Sequence, residues 1–167
     1  SIQKDGGQAV AIAGDLGDVE NVSKIAARCQ EAFGEVHILV NAAGVNPREP
    51  ADAVTPEKWN QTIQLNLSAP FFFAQALVPR MKAAGYGRII NIASIAGRQG
   101  VPTQGHYAAT KATAITLTRV YSQEVGMDGI TVNAICPGII LTEMGKNNLG
   151  SQEAMDHWTE VTALKRL

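Results

Sequence analysis

Residues 88–111 read RIINIASIAGRQGVPTQGHYAATK, which combines a strand, a loop and the start of a helix. An apolar run of strand length, residues 88–93, precedes a loop that contains Gly97, Gly100, Pro102 and Gly105. A helical pattern then runs from His106 to Val125 and ends at Gly126. A continuous apolar strand followed by a helix is typical of a parallel sheet with helices packed against it.

The same alternation of strand and helix patterns extends along the whole chain. Short apolar runs predict further strands at residues 8–14, 36–40 and 130–136. Helices are predicted from Asp18 to Phe33, before Gly34, and from Thr55-Pro56-Glu57 to about Ala84. We therefore expect an α/β fold with a doubly wound, Rossmann-like parallel sheet, helices on both of its faces, and a single domain over residues 1–167.

Composition excludes several classes of protein. Of the 167 residues, 46% are hydrophobic and 17% are charged, which is typical of a chain that buries a core. The formal charge is −1 with no basic face, so we expect no nucleic acid partner. The most apolar stretch, residues 69–78, is shorter than the roughly 20 residues that cross a membrane, so we expect no membrane partner. Cys29 and Cys136 fit no metal or disulfide pattern, which favours a cytoplasmic setting and no metal site.

Ligand-binding residues of open parallel sheets lie just beyond the carboxyl ends of the strands. In this chain those positions hold Asp15, then Asn41-Ala42-Ala43-Gly44, then Ser94, then Pro137-Gly138. These four places are the candidate functional edge of the sheet.

Tyr107 and Lys111 are four residues apart and so share one face of the predicted helix. An ammonium group beside a phenol stabilises the phenolate, which makes Tyr107 a usable acid and base near neutral pH. Ser94, at the end of the neighbouring strand, can hold a carbonyl or hydroxyl oxygen and stabilise charge that develops on it. These three residues predict acid–base chemistry at an oxygen atom of a substrate.

Asn66 precedes Pro70 by four residues within a predicted helix. Proline lacks the N–H that would bond to the Asn66 carbonyl, and its ring pushes against that carbonyl. The sequence therefore predicts a local kink and a freed acceptor at Asn66. The alternative is an asparagine that only caps a broken helix.

Four motifs occur in order along nearly the whole chain: Asn41-Ala-Ala-Gly44, Ser94 thirteen residues before Tyr107, Tyr107-Ala-Ala-Thr-Lys111 and Pro137-Gly-Ile-Ile-Leu-Thr142. Together they resemble the classical short-chain dehydrogenase/reductase family. The resemblance implies an oxidoreductase that transfers a hydride between NAD or NADP and a small alcohol or ketone, such as a polyol, a sugar acid or a 3-oxoacyl thioester. It implies that Tyr107 exchanges the proton, Lys111 also grips the nicotinamide ribose, Ser94 orients the substrate, and the Asn66 carbonyl holds a water of the proton relay.

Cofactor contacts follow from the same resemblance. Asp15 and Leu16 match the position that contacts adenine, although Asp15 also suits a simple acid at a helix entry. The adenosine-ribose side corresponds to Asn41, Ala42, Ala43 and Gly44, and the carboxamide contacts correspond to Ile140 and Thr142, after Pro137 and Gly138.

Two further features stand outside the catalytic motifs. His106 is not needed by the pattern, and we expect its side chain to line a pocket or to be solvated. The run Phe71-Phe72-Phe73 exceeds one face of a helix and indicates burial on two sides, which favours a homo-oligomer, a dimer or a tetramer.

The pattern of the family is incomplete in this chain. Its opening Gly-x-x-x-Gly-x-Gly turn, whose N–H groups hold the cofactor pyrophosphate, is absent, and Gly14-Asp-Leu-Gly17 only partly resembles it. We therefore expect an internal fragment that lacks the first βαβ unit and the last helix and strand. The activity is expected of a longer protein, and residues 1–167 alone are expected to bind the cofactor weakly.

Two other functions are alternatives to the reductase. An epimerase or dehydratase of the extended branch also uses Tyr-x-x-x-Lys, but Asn41-Ala-Ala-Gly44 and the spacing of thirteen from Ser94 to Tyr107 favour the classical reductases. A non-catalytic binding protein on the same fold has no need of Ser94, Tyr107, Lys111 and Asn66 together.

Overall fold

The computed structural model describes residues 2–167, which form a three-stranded sheet and its helices. The strands are β1 (Ile38–Asn41), β2 (Gly87–Ile92) and β3 (Ile130–Ile135). The α-helices are α1 (Val19–Phe33), α2 (Pro56–Ile63), α3 (Ala69–Ala84), α4 (Ala96–Gln99), α5 (Gly105–Val125), α6 (Glu143–Leu149) and α7 (Gln152–Val161). A π-helical segment, Gln64–Ser68, joins α2 to α3, and a 3-10 turn, Gly126–Asp128, follows α5.

The sheet has the order β1-β2-β3, and both pairs of strands are parallel. Ile38 is opposite Arg88 in the first pair, and Gly87 is opposite Ile130 in the second. The expected Rossmann-like parallel α/β fold is therefore confirmed. Because all three strands run the same way, their carboxyl ends meet at one edge of the sheet.

The strand predicted at residues 8–14 is wrong. These residues are not in a strand, and Val10 is 56% exposed. A strand exists only when a neighbour supplies backbone partners, and none of the three described strands pairs with this segment. The other strands lie within two residues of their predicted bounds.

Local capping signals define the first two helices as expected. Asp18 is the N-cap of α1 and accepts a hydrogen bond from the Glu20 N–H at 2.9 Å. Gly34 ends α1 at a φ of 84°, in the region that favours glycine. Thr55 caps α2 and Pro56 takes its first position, so both predicted helix starts are confirmed.

The helix predicted to continue to Ala84 is distorted where Pro70 disturbs it. The backbone widens into the π-helical segment, and the Ala69 N–H bonds to the Gln64 carbonyl five residues back. Pro70 offers no N–H to the Asn66 carbonyl. The predicted local distortion at Asn66 is confirmed, and it divides the helix into α2, the π-helical segment and α3.

The hydrophobic core lies between one face of the sheet and the helices. Ile89 and Ile130 are each 1% exposed and belong to the same cluster as Leu77 and Met81 of α3. On the other face Ile38, Val40 and Ile135 are more than half exposed. Within residues 2–167 the helices thus cover one face of the sheet, although the apolar strands predict cover on both.

Helices α4, α6 and α7 were not predicted from the sequence. The last two bury none of their residues, so no apolar stripe marked them. None of the helices that the structure describes has the length and apolar character needed to cross a bilayer.

Met81 tests the core. Replacing it by alanine leaves a cavity against Ile89 and Ile130, so Met81→Ala is expected to lower the free energy of unfolding by about 2–5 kcal/mol. The control is Met127→Ala, because Met127 is 99% exposed and its truncation should cost less than about 0.5 kcal/mol. Urea unfolding of both variants measures the difference, and equal losses would contradict this description of the core.

Candidate active site

The carboxyl ends of β2 and β3 are joined by backbone hydrogen bonds. The Ala93 N–H donates to the Ile135 carbonyl at 2.8 Å, and the Ile95 N–H donates to the Pro137 carbonyl at 3.1 Å. Ser94 lies between these two bonded residues. The structure therefore places Ser94 and Pro137 side by side at the expected edge of the sheet.

Lys111 is buried and is directed towards this edge. Its side chain is only 7% exposed, and its Nζ donates to the Ile92 carbonyl at 2.7 Å. The same Nζ lies 5.7 Å from the centroid of the Tyr107 ring, so the two side chains share one face of α5. Burial disfavours the charged form and lowers the pKa of Lys111 below its usual 10.5. A solvated helix lysine would show none of these features.

Gly44 lies against Lys111 and Asn66. A Cβ atom at Gly44 would stand 3.0 Å from Asn66 Oδ1 and 3.7 Å from Lys111 Nζ. A larger residue would push on both side chains. The glycine therefore allows the loop after β1 to approach the lysine and the asparagine closely.

The Asn66 side chain holds that loop. Its Oδ1 accepts the Val45 N–H at 2.9 Å, and its Nδ2 donates to the Val45 carbonyl at 2.8 Å and to Thr110 Oγ1 at 3.3 Å. Asn66 is 2% exposed, so it does more than cap a broken helix. Only the carbonyl of Asn66 was predicted from the sequence to have a role, although a polar residue between Leu65 and Leu67 was a visible signal for this side chain.

Ser94 and Tyr107 are both partly buried. Ser94 Oγ accepts the Ala96 N–H at 3.1 Å, which fixes the turn after β2. The Tyr107 hydroxyl makes no hydrogen bond within residues 2–167, to Ser94 or to any other group. Both oxygens keep the capacity to bond to a substrate.

Asn41 is tied into the sheet by a chain of side-chain hydrogen bonds. Its Nδ2 donates to Asn91 Oδ1 at 2.8 Å, and Asn91 Nδ2 donates to Thr118 Oγ1 at 2.9 Å. Asn91 was not predicted as a site residue, but an asparagine inside the apolar strand RIINIA was the available signal. These bonds fix the end of β1 relative to β2 and α5.

Two cavities meet at the end of β1. Leu16, Ala42 and Ala43 line one of them, together with residues of α3. Asn66 and Lys111 line the other, together with the core-facing side of α5. Asn41 and Ala43 border both cavities, so the structure brings most of the selected residues from the first half of the chain together.

Other selected residues lie further out. Asp15 is exposed, and its Oδ1 accepts the Gly17 N–H at 2.8 Å, as expected for a turn residue. Thr142 caps α6 through its Oγ1, and its N–H donates to the Ile140 carbonyl at 2.7 Å. Ile140, Thr142 and Gly138 make no hydrogen bond to Ser94, Tyr107 or Lys111 within the described residues. Within the described residues, hydrogen bonds therefore do not link these outer residues to the central group.

The expectation that the His106 side chain is solvated is wrong. The side chain is 1% exposed, and neither ring nitrogen has a hydrogen-bond partner in the part of the chain that the structure describes. It follows Gln104 and Gly105 at the start of α5, and α5 packs against α2. Packing, not solvent, surrounds this histidine.

The sequence matches a known family. The sequence model of the family described as short chain dehydrogenase matches residues 1–153. Among curated relatives, L-rhamnose 1-dehydrogenase (NAD(P)(+)) of Azotobacter vinelandii is 36% identical over 163 residues, 97% of this chain and 64% of the relative. Acetoacetyl-CoA reductase of Rhizobium meliloti is 45% identical over 118 residues, 71% of this chain and 49% of the relative.

A solved structure gives the same result. The gluconate 5-dehydrogenase of Burkholderia cenocepacia J2315, crystallised with NADP and tartrate, superposes with a TM-score of 0.91 at 31% identity. The alignment covers 98% of this chain and 64% of that protein. The chain thus spans between about half and two thirds of the length of these three relatives.

Asn66→Ala tests the anchoring of the loop after β1. The change leaves the partly buried Val45 N–H and carbonyl without their side-chain partners, so the free energy of unfolding should fall by about 1–3 kcal/mol. Amide exchange at Val45 should accelerate more than exchange in the core of β2. Asn60→Ala, an exposed asparagine of α2, serves as the control and should change neither measurement. Unaltered exchange at Val45 would show that the side chain does not hold the loop.

Lys111 predicts a pH dependence of stability. Because burial lowers its pKa, the folded chain binds fewer protons than the unfolded chain as the pH rises towards 10.5. The unfolding free energy of the wild type should therefore rise with pH relative to Lys111→Met. Lys24→Met, at an exposed position of α1, should show no such difference from the wild type. Denaturant titrations between pH 7 and 10 measure the effect, and a fall in the stability of the wild type relative to Lys111→Met as the pH rises would refute the direction.

Proposed function

This chain belongs to the short-chain dehydrogenase family, and on that premise we propose that the full-length protein is an NAD- or NADP-dependent oxidoreductase of alcohols or ketones. In this proposal residues 1–167 form most of a single Rossmann-like domain. The parts of the domain beyond them are the first βαβ unit, with its glycine turn, and the last helix and strand.

One observation carries the proposal. The Lys111 ammonium is buried and lies 5.7 Å from the Tyr107 ring centroid. It is also close to Gly44, which in turn lies against Asn66. A buried cation is costly unless it is paired or hydrogen-bonded, such groups cluster at functional sites, and a phenol beside it is the group whose ionised form it stabilises. This is the arrangement that general acid–base catalysis by a tyrosine requires.

The chain's own residues divide the work as follows. Tyr107 exchanges a proton with the substrate oxygen, and its free hydroxyl is available for that bond. Ser94 Oγ holds the same oxygen and stabilises charge on it. The Lys111 ammonium lowers the free energy of the phenolate by its charge.

The nicotinamide cofactor accepts or supplies the hydride, and several residues suit its binding. Lys111 Nζ has three N–H donors, of which the Ile92 carbonyl takes one, so two are available for hydroxyl oxygens such as those of a ribose. The small residues Ala42 and Ala43 line an apolar recess together with Leu16, which suits a flat ring. These observations agree with the chemistry of a dinucleotide, and both NAD and NADP are proposed.

The remaining contacts are proposed from the family pattern. Asp15 and Leu16 would lie at the adenine and Asn41 to Gly44 at the adenosine ribose. The nicotinamide end would contact Pro137, Gly138, Ile140 and Thr142. For the outer residues, the support is the exposure of Ile140 and the position of Thr142 at the start of α6.

Asn66 is proposed to have two roles. Its side chain holds Val45, as its three hydrogen bonds indicate. Its carbonyl, to which Pro70 offers no N–H, is available to hold a water on the path from Lys111 to solvent.

Substrate class, assembly and location are proposed in general terms only. Relatives are named for rhamnose oxidation, acetoacetyl-CoA reduction and gluconate oxidation, so a small polyol, sugar acid or 3-oxoacyl substrate is proposed. The partly buried rings of Phe71 and Phe72 pack edge to face at 5.4 Å, and this end of α3 supports a homo-oligomer, a dimer or a tetramer. A cytoplasmic location agrees with the two free cysteines.

Tyr107→Phe tests the proposed activity. Loss of the hydroxyl removes the proton donor but leaves the ring and Lys111 in place, so kcat should fall by about 10²–10⁴-fold with little change in cofactor affinity. The measurement is NAD(P)H absorbance in the full-length protein with polyol, sugar-acid and 3-oxoacyl substrates. Tyr86→Phe, a partly exposed tyrosine between α3 and β2, is the control and should keep normal turnover. Near-normal turnover of Tyr107→Phe would refute the assignment.

A further inference from the structure

Few of the described contacts attach the C-terminal segment, residues 139–167, to the rest of the chain. Its helices α6 and α7 bury none of their residues. Within residues 2–167, one hydrogen bond links this segment to earlier residues, from Arg48 Nη1 to the Asn148 carbonyl at 2.8 Å. Hydrophobic burial therefore does not fix α6, and the contact from Arg48 becomes important.

Arg48 also contacts a second part of the chain. Its Nε donates to Thr103 Oγ1 at 3.1 Å, in the loop between α4 and α5. The neighbouring Glu49 N–H donates to the Thr103 carbonyl at 2.7 Å. One guanidinium thus joins the loops that follow β1 and β2 to the helix that follows β3.

Thr103 adopts a backbone conformation that agrees with such a junction. Its φ is 66°, in the left-handed region that β-branched residues rarely enter. Strain of this kind persists only where surrounding contacts hold it, and the hydrogen-bond partners of Thr103 in the described residues are Arg48 and Glu49. The loop conformation is therefore coupled to Arg48.

The chemistry of arginine suits both bonds. The guanidinium is planar and presents several N–H donors in fixed directions, so it can serve two acceptors on different elements at once. Asn148 lies in the last turn of α6, where the carbonyl groups carry partial negative charge and favour a cation. A lysine provides a single ammonium and cannot reproduce this geometry.

We propose that Arg48 is a positioning residue that holds α6 against the loops after β1 and β2. In the proposed function Thr142, which caps α6, and the nearby Ile140 contact the nicotinamide end of the cofactor, so a residue that holds α6 would also hold these contacts. The inference rests on the proposed function for its effect on the cofactor. Its structural part, the attachment of α6, stands on the two hydrogen bonds of Arg48.

The test uses the full-length protein with Arg48→Met, Arg48→Lys and the control Arg80→Met, an exposed arginine of α3. Arg48→Met should raise KM for the nicotinamide cofactor by about fivefold or more, the effect of one hydrogen bond of ordinary strength, with kcat within about twofold. In Arg48→Lys the KM for the cofactor should lie between the values of the wild type and Arg48→Met. Arg80→Met should match the wild type.

Limited trypsin digestion gives a readout that needs no activity. Cleavage after Lys146, within α6, should accelerate by about fivefold or more in Arg48→Met and remain at the wild-type rate in Arg80→Met. Mass spectrometry identifies the Lys146–Asn147 cut and separates it from the site lost at residue 48.

The outcomes separate the two proposals. An unchanged cleavage rate after Lys146 in Arg48→Met overturns the inference, as does a fall in kcat with unchanged KM. If the wild type reduces or oxidises none of the substrates, the proposed function fails. Faster cleavage in Arg48→Met would then still support the attachment of α6 by Arg48.

Discussion

The arrangement of the candidate site depends on the buried amide of Asn66. Its three hydrogen bonds join the loop after β1, the π-helical segment and α5. Both backbone groups of the partly buried Val45 are satisfied by this one side chain. Backbone groups that are removed from water and left without partners are rare in proteins because each costs about 1–3 kcal/mol. The approach of Gly44 to Lys111 follows from it, since the loop is fixed immediately after that glycine.

A second constraint is the burial of a cation beside a phenol. Lys111 gives up most of its solvation, and the Ile92 carbonyl returns only one hydrogen bond. The core cluster around Ile89, Leu77 and Met81 offsets that cost on the same side of the sheet. Stability is thus concentrated in the sheet and its covering helices, and part of it is used to keep a charged group in an unfavourable place.

Local signals predicted much of the fold and the centre of the site. Asp18, Thr55 and Pro56 mark helix ends through bonds to near neighbours, and the spacing of Tyr107 and Lys111 puts them on one helix face in any context. Pairing between strands is not local. Residues 8–14 have the apolar pattern of a strand, but none of the three described strands pairs with them. The bonds of the Asn66 side chain, the burial of His106 and the link from Arg48 to Asn148 all depend on tertiary neighbours that periodicity cannot reveal.

The absence of buried residues in α6 and α7 has a consequence for divergence. Substitutions at exposed positions usually change stability by less than about 0.5 kcal/mol, so these helices can vary in sequence while the sheet remains intact. The residues around Lys111 have no such freedom, because Asn66, Thr110 and Lys111 itself are buried. Selection can therefore change the sequence of the two outer helices without first compensating the core.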